Sequence, residues 1–310
     1  MPSRNRVNAG SMARRAAGSE PEQDAPAEPA NGAPGRRPKL GQNFLTDRGA
    51  AERIVAALGD ISQATVLEIG PGRGALTSLL APKANQLIAV ELDRVLAAQL
   101  RMKYTLRENV EIIEGDILKI DLATLLTKRS YPLAGLAPAA PRPARAVGNI
   151  PYYITSGILL HLLAFHAYFE TIVLLVQHEV AERIAAQPGH REYGLLSATV
   201  QLHARVEKLF TLPPGAFFPP PKVQSTALRL TMAPQMERLR VAEPAFVDFL
   251  KLSFGQKRKT LANNLKSSYG QEEISHALSK AGVRRDVRAE ALPLDKAAAI
   301  FRLLAGKGLS

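Results

Sequence analysis

The run Val66-Leu67-Glu68-Ile69-Gly70-Pro71-Gly72-Arg73-Gly74-Ala75-Leu76 decides how the rest of the chain is read. Its first four residues, mostly β-branched or apolar, predict a strand. The three alternate glycines predict a tight turn, and the apolar pattern resuming at Leu76 predicts a helix. Glycines let the backbone approach a ligand that any Cβ would hold off, and a helix start offers free N–H groups. A large polar ligand is therefore expected on this turn. Gly70, Gly72 and Ala75 satisfy the spacing of a dinucleotide-binding turn. Glu68 in the strand and Gly74 as a third glycine add a tighter E-x-G-x-G-x-G pattern.

Downstream, the apolar run Leu87-Ile88-Ala89-Val90 ends in Glu91, and Val110-Glu111-Ile112-Ile113 leads through Gly115 to Asp116. Helical patterns separate these strands, which predicts parallel crossovers in an open α/β sheet with its ligands at the carboxyl ends of the strands. Glu91 is then placed to accept bonds from the ribose diol of a nucleotide-like ligand, and Asp116 to bond an exocyclic amine. Upstream, Gln42 and Asn43 fall in a loop before Asp47, the expected N-cap of a helix burying Ile54, Val55 and Leu58.

The strand Arg145-Ala146-Val147-Gly148 delivers Asn149-Ile150-Pro151-Tyr152-Tyr153. An adenine amine is a poor nucleophile because its lone pair is delocalised into the ring. An asparagine carbonyl and a neighbouring backbone carbonyl at a proline-fixed turn can accept both N6–H bonds and draw the nitrogen toward a tetrahedral geometry, while Tyr152 stacks on the base. Taken alone, the same tetrapeptide more often caps a turn beside a core tyrosine. The proline-rich loop Pro213 to Val223 is expected to present Phe217 or Phe218 as the other face of a base clamp. His161, His166 and His178 show no metal-like partners in the sequence, and no metal is expected.

With 310 residues, no Cys and no apolar run approaching the ~18 residues of a membrane span, the chain reads as globular, non-membrane and compatible with the cytoplasm. It carries 40 Lys plus Arg against 28 Asp plus Glu, so a polyanion is the first partner to consider. Residues 1–36, rich in Ala, Pro, Gly and charge, are expected to form a disordered tail, and the segment from Lys128 to Arg145 an irregular insertion. After about Met236 only helical patterns remain. No acid occurs between Asp248 and Glu272, while Lys251, Lys257, Arg258, Lys259 and Lys266 fall there, a basic surface suited to phosphates.

Five segments in order carry a resemblance: Gly41-Gln42-Asn43-Phe44-Leu45 with Asp47, the glycine run with Glu68, Asn149-Ile150-Pro151-Tyr152, Phe217-x-Pro219-x-Pro221-Lys222-Val223-x-Ser225, and Phe254-x-x-Lys257-Arg258-Lys259-x-Leu261-x-Asn263. The chain resembles the ribosomal RNA adenine N6,N6-dimethyltransferases over about residues 37–305, and specifically their small-subunit branch. The resemblance implies a class I S-adenosylmethionine-dependent methyltransferase fold, with a Rossmann-like, mostly parallel seven-stranded sheet over 37–235 and a smaller all-helical RNA-binding domain over 236–310. It implies that S-adenosylmethionine lies on Gln42, Asn43, Leu45, Gly70, Gly72, Glu91, Leu92, Asp116, Ile117 and Asn149. Asn149, Pro151, Tyr152 and Phe217 would hold the target base, and Lys222 would join the basic residues above on RNA. The implied reaction dimethylates two adjacent adenosines in the 3′-terminal hairpin loop of small-subunit RNA, late in assembly, by a cytoplasmic monomer acting on a pre-30S particle. Ile150 stands where that branch usually has Leu, as in the large-subunit enzymes of macrolide resistance. Those enzymes and a non-catalytic assembly factor are the competing readings.

Overall fold

The computed structural model describes residues 42–127 and 143–306. The tail and most of the insertion from Lys128 to Arg145 lie outside them. The strands are β1 (Phe44–Leu45), β2 (Thr65–Ile69), β3 (Gln86–Glu91), β4 (Val110–Glu114), β5 (Ala144–Asn149), β6 (Phe169–Gln177), β7 (Ala204–Leu212), β8 (Phe217–Phe218) and β9 (Ser225–Met232). Seven of them form one sheet in the order β4-β3-β2-β5-β6-β9-β7. Neighbours from β4 to β6 run parallel, whereas β9 is antiparallel to both β6 and β7. The chain builds outward from β2 through β3 to β4 and then returns to β5 on the other side of β2. Such a reversal opens a crevice at the carboxyl edge between β2 and β5, where the loops diverge. Separately, β1 and β8 pair as an antiparallel ribbon.

Seven helices pack with the sheet: α1 (Arg48–Ala56), α2 (Thr77–Leu80), α3 (Arg94–Lys103), α4 (Leu122–Thr127), α5 (Thr155–Ala164), α6 (His178–Ala185) and α7 (Leu195–His203). Caps fix two of their starts. Asp47 accepts from Ala50 N at 2.9 Å, and Asp93 accepts from Val95 N at 2.8 Å. The central strands β2, β5 and β6 are largely apolar on both faces, so successive residues enter opposite cores. Leu67, Ile172 and Leu174 pack with Ile158 and Leu162 on one side, and Val66 and Val173 pack with Ile54 and Leu80 on the other.

The remaining helices are α8 (Met236–Leu239), α9 (Glu243–Ser253), α10 (Leu261–Leu265), α11 (Gln271–Lys280) and α12 (Leu294–Ala305). They close on a core containing Phe246, Phe249 and Phe301, to which α7 adds Ala198 and Leu202. One helix thus serves two cores, since Val200 of α7 belongs to the core of the sheet. His203, at the end of α7, faces the Thr199 carbonyl through Nδ1 at 2.8 Å and Glu243 Oε1 of α9 through Nε2 at 2.8 Å. His166 joins them with its ring 4.9 Å from that of His203, and the three residues offer ligand atoms within 4.8 Å of one another. These neighbours of His166 are not visible in the sequence, because they come from helices far apart in the chain. The contact between His203 and Glu243 is itself of hydrogen-bond length and ties the two helical layers together. Among the described residues no helix is long and apolar enough to cross a membrane.

Candidate active site

A cleft opens at the carboxyl edge of β2, β3, β4 and β5. The fold brings Gln42, Asn43, Leu45, Gly70 and Gly72 to its wall together with Glu91, Leu92, Asp116, Ile117 and Asn149, so every residue expected around the cofactor borders one space. Gly72 has φ +58°, and a Cβ there would lie 3.0 Å from the Phe44 ring, so a side chain at this point would be strained and would push on that ring. Its N–H donates to Glu91 Oε2 at 2.9 Å, and Asp93 N–H donates to Glu91 Oε1 at 2.9 Å. Glu91 is 2% exposed, and burial raises its pKa from the ordinary carboxylate value. Each of its oxygens keeps a second lone pair for a ligand. Asp116 caps the following turn, accepting from Leu118 N at 3.0 Å.

Behind the glycines lies a group whose role the sequence left open. Glu68 is 1% exposed, its Oε2 has no hydrogen-bond partner, and Thr77 Oγ1 and Tyr104 Oη are likewise buried without one. Burial pushes the Glu68 carboxyl up to about 8, so it is mostly protonated at neutral pH. A neutral acid can sit behind a cofactor loop without placing a second full charge beside Glu91.

The other end of the cleft is built around β5. Gly148 lets this strand pass β2 closely, since a Cβ there would be 2.7 Å from the Ile69 carbonyl. The next residue, Asn149, donates from Nδ2 to the Asn43 carbonyl at 2.8 Å, which leaves Oδ1 as an acceptor. The Pro151 carbonyl is already engaged by Ile154 N and Thr155 Oγ1. Tyr152 Oη and Ser225 Oγ lie 2.7 Å apart, and partial burial raises the phenol pKa. In the sequence Ser225 is only one position of the proline-rich motif; on β9 its hydroxyl holds the Tyr152 phenol. Ile150 is buried in the core of the sheet, so the departure at this position is a choice between two packing side chains.

Phe217 departs from expectation. It is 3% exposed, packs in the core and does not border the cleft, whereas Phe218 is 59% exposed. The reason is strand alternation: β8 pairs Phe217 with Leu45 on the inner side and Phe218 with Phe44 on the outer side. The expected base-gripping ring is therefore a core ring in this structure.

Lys222, Lys251, Lys257, Arg258, Lys259 and Lys266 are all exposed. Lys251 pairs with Asp248 at 2.9 Å, and Lys257 Nζ reaches the Arg191 carbonyl at 3.3 Å. Lys257, Arg258 and Lys259 sit in the turn between α9 and α10. Buried Asn264 pins that turn by donating to the carbonyls of Ser253 at 2.6 Å and Gln256 at 3.3 Å.

The ribosomal RNA adenine dimethylase family profile matches residues 35–306. A ribosomal RNA small subunit methyltransferase A from Koribacter versatilis is 57% identical over 88% of this chain and 96% of that protein. Its namesake from Acidobacterium capsulatum is 52% identical over 86% of this chain and 91% of that protein. Among solved structures, a dimethyladenosine transferase from Plasmodium falciparum shares the fold, with a TM-score of 0.68 at 24% identity over 86% of this chain and 98% of that one. The 23S rRNA methyltransferase ErmE aligns with a TM-score of 0.63 at 27% identity over 85% of this chain and 100% of its own. With a glycine-turn cleft on a mostly parallel sheet and a family match over nearly the whole described chain, this protein belongs to the ribosomal RNA adenine dimethylases.

Proposed function

We propose that this protein dimethylates the N6 amine of adenine in small-subunit ribosomal RNA, with two adjacent adenosines of the 3′-terminal hairpin loop as its targets. It would act as a cytoplasmic monomer on a late precursor of the small subunit. Relatives at 57% and 52% identity are named for the small subunit, whereas the large-subunit neighbour is 27% identical, which favours this reading over the resistance type.

S-adenosylmethionine is the cofactor and supplies an electrophilic methyl group. The cleft fits it: the glycine loop leaves room where Cβ atoms would stand, and carboxylates end two adjacent strands. Glu91 would accept from the ribose hydroxyls and Asp116 from the adenine amine. Gln42, Asn43, Leu45, Leu92 and Ile117 would enclose the nucleoside.

The observation that carries the reading is the bond from Asn149 Nδ2 to the Asn43 carbonyl. It fixes the amide so that Oδ1 is the atom left for a substrate. The Ile150 carbonyl, which precedes a proline without an N–H, would be the second acceptor, because the Pro151 carbonyl is engaged. Two acceptors on N6–H draw the amine toward tetrahedral geometry and free its lone pair. The proton becomes acidic only as the new N–C bond forms, so no strong base is required. Tyr152, anchored through Ser225, would stack on the base. The domain from 236 would hold the RNA through its basic turn, and exposed Lys222 would add a further charge.

Unmethylated small subunits incubated with labelled S-adenosylmethionine test this directly. Mass spectrometry should find dimethyladenosine in the terminal hairpin with the wild type and little with Asn149→Ala. Label confined to large subunits, or unchanged turnover in that variant, would overturn it.

A further inference from the structure

Among the described residues the large exposed apolar side chains include only two aromatic rings, Tyr153 at 63% and Phe218 at 59%. Tyr153 lines the cleft together with Asn149, and Phe218 faces Phe44, which also lines it. Tyr153 follows Tyr152 in the short turn 152–154 and borders the opening. Phe218 lies outside the lining, opposite Phe44 in the ribbon of β1 and β8. Directly opposed residues of an antiparallel pair share one face, with Cβ atoms about 5 Å apart. Phe218 therefore extends the surface of Phe44, over which the Arg73 guanidinium sits 4.6 Å from the ring centre.

Exposed aromatic rings can serve as stacking surfaces for unpaired bases. Here the charge pattern selects the partner. No Asp or Glu occurs between Asp121 and Glu170 or between Glu207 and Glu237, the stretches that supply Tyr153 and Phe218, while Arg73 and Lys222 are exposed beside them. Rings carried on acid-free segments with cations near them suit unpaired nucleotides, whose bases stack and whose phosphates need counter-charge.

We propose that Phe218 and Tyr153 are stacking platforms for the unpaired nucleotides on either side of the target adenine. This rests on the adenine-methylation reading and extends it. A target base inside the cleft must be splayed from its neighbours, and the two rings give those neighbours replacement stacking partners at the lips. The platforms thus select a single-stranded loop over a helix, in which the adjacent bases remain stacked on each other.

The test measures methyl transfer to unmethylated small subunits by wild type, Phe218→Ala, Tyr153→Ala, Phe218→Leu and Phe218→Trp, with binding of S-adenosylmethionine measured separately by calorimetry. Each Ala variant should raise KM for subunits about tenfold, with cofactor affinity unchanged. Phe218→Trp should restore the wild-type KM and Phe218→Leu should not, since leucine keeps apolar area without a stacking face. KM within twofold of wild type in both Ala variants, or equal rescue by Leu and Trp, would overturn the platforms while leaving methylation standing. A wild type that leaves the subunits unmethylated would overturn both.

Discussion

In the cleft, Glu91, Asn149 and Tyr152 each have a side-chain atom bonded to the protein before any ligand arrives, whereas in the turn between α9 and α10 the backbone is pinned by Asn264 and Lys257, Arg258 and Lys259 stay exposed. Recognition in the first region is stored as geometry, in groups that need not reorganise when charge shifts. In the second, on the proposed reading, it would be stored as a number of charges, which tolerate movement but are screened by salt. Single substitutions should therefore act strongly in the cleft and weakly in the turn. The largest effect is expected for Asn149→Ala: kcat should fall about 10² to 10³-fold, as when one transition-state acceptor is removed, with little change in melting temperature. Single-turnover kinetics check this, and a loss under tenfold would break the comparison.

Glu68 sharpens it through pH. Unfolded, this carboxyl releases its proton near 4.5, whereas folded it keeps it up to about 8. Between those values the folded state binds the extra proton, so stability falls as pH rises through the window and levels off above it. The slope is about 1.4 kcal/mol per pH unit, hence roughly 2 to 3 kcal/mol between about pH 6 and 8. Glu68→Gln should flatten the slope in denaturant titrations; an unchanged slope would show that another group is responsible. A smaller effect is expected of Gly72→Ala, at about 1 to 2 kcal/mol for a left-handed alanine, plus weaker cofactor binding as the new methyl presses on the Phe44 ring. Thermal melts with and without S-adenosylmethionine separate the two losses, and the cofactor-dependent rise in melting temperature should shrink.

What was legible in the sequence divides along the same line. The seven strands of the main sheet, the Asp47 cap, the glycine turn and the placing of Glu91 and Asp116 follow from local patterns, because a glycine at φ +58° or a carboxylate ending a strand is fixed by its immediate neighbours. Contacts that arise only when distant segments meet were not legible. Phe217 and Phe218 are indistinguishable until β8 pairs with β1 and sends one ring inward. The anchor of Tyr152 on Ser225 and the grouping of His166, His203 and Glu243 need long-range packing. Tyr193, Ala198 and Leu202 joining the C-terminal core lay before the change of pattern near Met236, so composition could not assign them to it.

The weakest single effects belong to the basic turn, and there the salt dependence of binding says more than its strength. Replacing Lys257, Arg258 and Lys259 together by alanine removes up to three phosphate contacts. The slope of log K against log salt for RNA binding should then fall by roughly 2, at about 0.7 to 0.9 per contact. Each single replacement should change it by less than one. Lys257 should change it least, because its Nζ is partly committed to the Arg191 carbonyl. Affinity for S-adenosylmethionine should be unaffected in all four proteins, since the cofactor wall takes nothing from this turn. Filter binding at several salt concentrations decides the matter. If the triple variant kept the wild-type slope, the turn would not track phosphates, and the exposed charge would only be solvated surface.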